Sequence, residues 1–131
     1  MIMRAVLQTM ALILAASALP QADLRASELK IALKGSHPAK RKTVRYECDA
    51  NGVKLGLPAQ AFAVDYINAG ANSLAVLPIA GESRIFVNVT SGSGARYASG
   101  DLIWWEAAGR SITLTSDSLN GKVQSACKLA N

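Results

Sequence analysis

From Thr43 onward, apolar residues recur at every second position in short runs, and turn signals interrupt those runs every eight to twelve residues. No other feature constrains the chain so strongly. A period of two sends alternate side chains to opposite faces of an extended strand. Short runs of this kind, separated by Gly, Asn, Asp and Pro, suit an all-β antiparallel barrel or sandwich. In "TVRYEC", Val44, Tyr46 and Cys48 share a face; in "AFAVDYI", Phe62, Val64 and Tyr66 do; in "RIFVNVT", Ile85, Val87 and Val89 do. "SLAVLPI" is nearly all apolar, and Pro78 pushes it toward an edge or a strand end. "ARYAS", "LIWWE", "SITLTS" and "KVQSACK" complete the set. Asn51-Gly52 predicts a tight hairpin turn leading into a strand "VKLGL" that Pro58 ends. The expectation is eight or nine strands, with no helical period and no second domain or internal repeat.

The residues before this region read differently. "MIMRAVLQTMALILAASALPQA" carries one cation, Arg4, then an apolar run of about fifteen residues and an Ala16-Ser17-Ala18 cleavage pattern. The run is shorter than the roughly 20 residues a membrane-spanning helix needs. Residues 1–22 therefore read as a signal peptide, with cleavage at Ala22 favoured over Ala18 or Ala26. Residues 23–42 read as a basic flexible linker, interrupted by Gly35 and Pro38, and 43–131 as the β domain. Export points to an oxidising compartment. The first cysteine is Cys48, far from any cleavage site, so neither a lipid anchor nor another stable membrane anchor is expected.

Charge is divided along the same lines. Residues 23–45 carry a net +5, while residues 46–131 carry −1. Such a basic arm suits weak contact with an anionic lipid or cell-wall polymer, or simply solvation. Nucleic acid is not the expected partner of an exported chain. Cys48 and Cys127 suit one disulfide in an oxidising compartment, against the alternatives of two free thiols or a metal pair. A metal needs more ligands than two cysteines and the single His37 supply, so no metal and no cofactor are expected.

Catalysis lacks a base. His37 lies in the basic arm, and a flexible arm holds a general base poorly. Asp101 and Glu106 are five residues apart, an odd spacing that turns them to opposite faces of a strand. The chain is not expected to be an enzyme. The stretch "SGSGARY", Ser91–Tyr97, suggests binding instead. Ser91 and Ser93 offer hydroxyls, Gly92 and Gly94 let backbone approach a partner closely, Ala95 adds no bulk, and Arg96 and Tyr97 stand at the base. Gly109-Arg110 marks a second tip. Hydroxyls and a guanidinium suit a cleft lined by carboxylates. Trp104 and Trp105 must face opposite ways, one into the core and one to the rim.

These residues resemble a known family. "YEC" at Tyr46–Cys48, "NSLAVLPI" at Asn72–Ile79, "SGSGARY" at Ser91–Tyr97, the Trp104-Trp105 pair and the terminal Cys127 are similar to the bacterial inhibitors of c-type lysozyme, the MliC/PliC family. The resemblance implies an eight-stranded antiparallel barrel in the periplasm that inserts the Ser91–Tyr97 loop into the active-site cleft of a c-type lysozyme. It implies Ser93 as the key serine, with Ser91 beside it, against the catalytic carboxylates. The family's second motif, W-x-K-G, departs here to "WWEAAGR". Ala107 and Ala108 stand where its lysine would fall, and Arg110 is the candidate replacement. The missing lipid cysteine points to the soluble, PliC-like branch. The rival reading is an envelope adhesion module working through the basic arm.

Overall fold

The computed structural model describes residues 27–35, 37–108, 111–118 and 123–131. The signal peptide read at 1–22 lies outside them. The chain divides into Met1–Leu33 and Lys34–Asn131. In the first unit, residues 27–33 have no regular secondary structure, and Leu29, Ile31 and Leu33 are exposed.

The second unit is a closed antiparallel barrel of eight strands in sequential order. The strands are β1 (Lys40–Cys48), β2 (Phe62–Ala69), β3 (Asn72–Ile79), β4 (Glu82–Val89), β5 (Ala95–Ser99), β6 (Leu102–Glu106), β7 (Ile112–Ser116) and β8 (Gln124–Leu129). Closure comes from β1 pairing with β8 over Tyr46↔Leu129 to Cys48↔Cys127. The Cys48–Cys127 disulfide staples that seam. Because the barrel is closed, the free strand edge that Pro78 suggested does not exist. Pro78 instead lies near the end of β3, opposite Ser83, where the missing N–H costs little.

The alternation seen in the sequence is the inside–outside pattern of the barrel except in β4, where the shared face of Ile85 and Val87 points outward and is exposed, and Phe86 between them fills the core. Val64, Ala75, Leu77, Phe86, Trp104 and Leu114 are fully buried. They come from β2, β3, β4, β6 and β7, so one core fills the barrel. β1 begins at Lys40, three residues before the alternation does. Its polar start is held from outside: Arg41 pairs with Asp65 on β2, and the Thr43 hydroxyl donates to the same carboxylate at 2.6 Å.

Asn51-Gly52 does not form the expected hairpin, and "VKLGL" is not a strand. Ala50–Lys54 is a short helix, α1, so one helical turn exists where none was expected. Asp49 caps it by accepting from the Gly52 N–H, the ordinary role of Asp at a helix start. The physical reason is burial. An added Cβ on Gly52 would stand 2.8 Å from the Cys48 Cβ and 3.6 Å from the Ser125 Cβ. An exposed hairpin turn would not make those contacts. The chain leaving α1 then drives Leu55 and Leu57 into the core and plugs that end of the barrel.

Candidate functional site

At the opposite end of the barrel from α1, residues 90–94 connect β4 to β5. Gly92, Ser93 and Gly94 are exposed, while Ser91, Ala95 and Arg96 are half-buried and Tyr97 is buried. The loop is therefore a tip standing on a packed base. Its shape is held by three contacts. The Ser91 hydroxyl donates to the Ser93 carbonyl at 2.5 Å. The Trp105 indole N–H donates to the same carbonyl at 3.0 Å. Gly94, at φ +65°, lies directly on the Glu106 carbonyl, and a Cβ there would also stand 2.7 Å from the Ala108 nitrogen. Only glycine suits that position, for reasons of both conformation and space.

This geometry divides the roles of the two serines. Ser91 spends its hydroxyl donor on the loop itself. Ser93 lends its carbonyl to the clasp, and among the described residues its own hydroxyl has no partner. It is presented to solvent. Arg96 and Trp105 face each other across β5 and β6 on the outer surface. Together with Ser91, Ser111, Thr113 and Gln124 they line an open groove of about 460 Å³ beside the loop.

The two tryptophans point opposite ways, as their adjacency requires. Trp104 is fully buried and its indole N–H donates to the Tyr66 hydroxyl at 2.9 Å; Trp105 is half-buried on the rim. Gly109 and Arg110, the predicted second tip, lie outside the described residues. His37 is exposed, and its ring lies against Gly70 at the β2–β3 turn. Asp101 accepts from the hydroxyls of Ser116 and Ser118, each at 2.6 Å. These two bonds hold its carboxyl below the usual carboxylate range. Asp101 and Glu106 thus serve separate local structures and share no cleft.

Sequence reasoning missed the cluster under the loop. The hydroxyls of Tyr46 and Tyr66 both donate to one carboxylate oxygen of Glu106, the latter at 2.6 Å, and the two hydroxyls are 3.0 Å apart. Burial first, then the bond to Glu106, pushes both phenols well above the ordinary tyrosine range. Burial raises Tyr97 too, with a smaller effect from Glu106. Alternation placed Tyr46 and Tyr66 each on an apolar face, but barrel closure alone brings them to Glu106. Among the described residues no group of three or more His, Cys, Asp or Glu is placed to hold a metal.

The sequence matches the family model "membrane-bound lysozyme-inhibitor of c-type lysozyme" (MliC) over residues 46–122, more than half of the chain. A protein named membrane-bound lysozyme inhibitor of C-type lysozyme from Pseudomonas aeruginosa is 42% identical over 93 residues, covering 70% of this chain and 66% of that protein. A protein of the same name from Cupriavidus necator is 38% identical over 64 residues, covering 49% of this chain and 45% of its own. The match thus spans about two thirds and under half of these two relatives. The crystal structure of Pseudomonas aeruginosa MliC in complex with hen egg white lysozyme superposes with a TM-score of 0.60 at 37% identity, covering 81% of this chain and 99% of that one. Fold and sequence agree, and the chain belongs to the MliC family of lysozyme inhibitors.

Proposed function

We propose that this protein inhibits a c-type lysozyme by inserting the Ser91–Tyr97 loop into its active-site cleft. The observation that carries the reading is Ser93, whose hydroxyl is presented at the tip of a loop that is otherwise tied down. A lysozyme cleft works with one protonated carboxylic acid and one ionised carboxylate. A serine hydroxyl complements both, because it accepts from the acid and donates to the carboxylate. Arg110 is proposed as the cation that pairs with the ionised carboxylate in place of the family's lysine, using its planar fork. The protein is a binding partner without turnover, exported and acting in the cell envelope on the periplasmic side.

Titration of the oxidised protein against hen egg white lysozyme, followed by cell-wall lysis, tests this. Inhibition is expected to saturate near one equivalent. Ser93→Ala is expected to weaken it about tenfold, roughly the value of a hydrogen bond to a charged group. Arg110→Ala is expected to weaken it to a similar degree. A folded, disulfide-bonded protein that leaves lysis unchanged at excess would sink the proposal. Residues 46–131 are near neutral, so association relies on shape more than on steering. Neutralising Lys30 and Lys34 is therefore expected to leave inhibition intact, and a large loss would implicate the basic arm.

A further inference from the structure

Trp105 stands on the outer face of β6, one residue before Glu106. Its register partner on β5 is Arg96, so its backbone is locked into the sheet. From that fixed point its indole N–H reaches twelve residues back to the Ser93 carbonyl at 3.0 Å. The Ser91 hydroxyl reaches the same oxygen at 2.5 Å. Two donors on one carbonyl hold the Ser93–Gly94 peptide in place, directly beside the carbon that carries the Ser93 side chain. Behind the clasp, the Glu106 carbonyl stops Gly94 from sinking. Inside the barrel, Tyr46 and Tyr66 hold the Glu106 side chain and so keep the end of β6 in place.

We infer that Trp105 is a positioning residue: its indole N–H, with the Ser91 hydroxyl, holds the free loop in its binding-competent shape before any lysozyme arrives. The inference rests on the inhibitor reading for its consequence, but the order of the free loop can be measured without a partner. A loop bound by preorganisation loses affinity when its competent fraction falls, and by the same factor. Because the lysozyme cleft itself would hold an inserted loop, the loss appears mainly in the association rate. A direct contact between Trp105 and lysozyme would instead appear in the dissociation rate.

Trp105→Phe keeps the aromatic packing and removes the donor. Ser91→Ala removes the other donor without touching the sheet, and covers the case in which Trp105→Phe folds poorly. Amide order parameters of residues 92–94 are measured in the free oxidised protein, and association and dissociation rates are measured with hen egg white lysozyme. In the wild type the loop amides are expected near the rigid value of about 0.85, falling toward about 0.6 in either variant. The association rate is expected to fall about three- to tenfold, the factor equivalent to one neutral hydrogen bond, with dissociation changed less than about twofold. Unchanged order parameters in both variants overturn the inference. So does a faster dissociation with unchanged association, which would make Trp105 a contact residue. A wild type with an ordered loop that does not bind lysozyme counts against the inhibitor reading, while the variants' order parameters still decide the clasp.

Discussion

The two ends of the barrel are each organised around a glycine that has no room for a side chain, and they use it in opposite ways. At one end Gly52 is buried in α1 against Cys48, Leu57 and Ser125. Its φ is not in the left-handed region, so space alone dictates the residue. At the other end Gly94 is exposed, adopts φ +65°, and lies on the Glu106 backbone. There conformation and space act together. The first glycine lets an apolar plug reach the core beside the disulfide seam. The second lets an exposed tip sit low enough for the Ser93 carbonyl to be clasped. A missing Cβ therefore serves folding at one end and presentation at the other.

The comparison breaks if damage at the seam disables the loop. The largest expected effect comes from Cys48→Ser combined with Cys127→Ser. The disulfide joins residues 79 apart in sequence, and the chain-entropy estimate for such a loop is about 4–5 kcal/mol, an upper figure. For a domain of this size that corresponds to a fall in Tm of about 15 °C or more. The β8–β1 seam is half the circuit of the barrel away from the β4–β5 connection. Inhibition per folded molecule is therefore expected to stay within about twofold of wild type at temperatures where the variant remains folded, since distant sites act independently. Thermal melts paired with lysis assays on the same sample decide this.

Swapping the damage between the two glycines sharpens the contrast. Gly52→Ala forces a Cβ to 2.8 Å from the Cys48 Cβ, an overpacking that costs about 1–3 kcal/mol. Its inhibition per folded molecule is expected to be unchanged. Gly94→Ala meets backbone on two sides, so the loop must lift away from β6. It is expected to weaken inhibition by at least about tenfold, or ~1.4 kcal/mol, with a smaller loss of Tm than Gly52→Ala. Equal losses of stability in the two variants, or inhibition lost only in Gly52→Ala, would reverse the assignment.

Much of this contrast was legible in the sequence, because it depends on local rules. Alternation marked the inward faces of β1 and β2, adjacency forced Trp104 and Trp105 apart, and the "SGSGARY" stretch marked the tip; in β4 alternation grouped Ile85 and Val87, which are exposed, because Phe86 is the residue that fills the barrel. What failed was Asn51-Gly52. The pair has a strong local preference for a hairpin turn, and only the packing of Gly52 on Cys48 and Ser125, the latter 73 residues away, overrules it. Asp49 was a visible helix cap three residues ahead of Gly52, a signal that competed with the turn. Ser91 and Ser93 were also indistinguishable by type. The resemblance singled out Ser93, but the separation into a tying hydroxyl and a presented one follows from the Ser91 hydroxyl donating to the Ser93 carbonyl, a local contact that residue type does not reveal.

The tyrosine cluster connects the two ends, since Tyr46 belongs to the seam strand β1 while Glu106 supports the tip. Burial and the bonds to Glu106 raise Tyr46 and Tyr66 in the folded protein above their ordinary value of 10.0. As pH passes about 10, the unfolded chain releases its tyrosine protons and the folded protein retains them. The unfolded state then binds fewer protons, so stability must fall with rising pH. The contribution is complete below pH 10 and is lost progressively above it. By half a unit above pH 10 the loss is expected to be about 1 kcal/mol in total, less than two fully enclosed phenols would give, because solvent reaches the cluster through half-buried Glu106. Tyr46→Phe removes one of the three phenols raised by burial, so its stability should decline less steeply between pH 9.5 and 11 in urea melts. An identical slope in wild type and variant would mean that Tyr46 does not keep its proton in the folded state above pH 10.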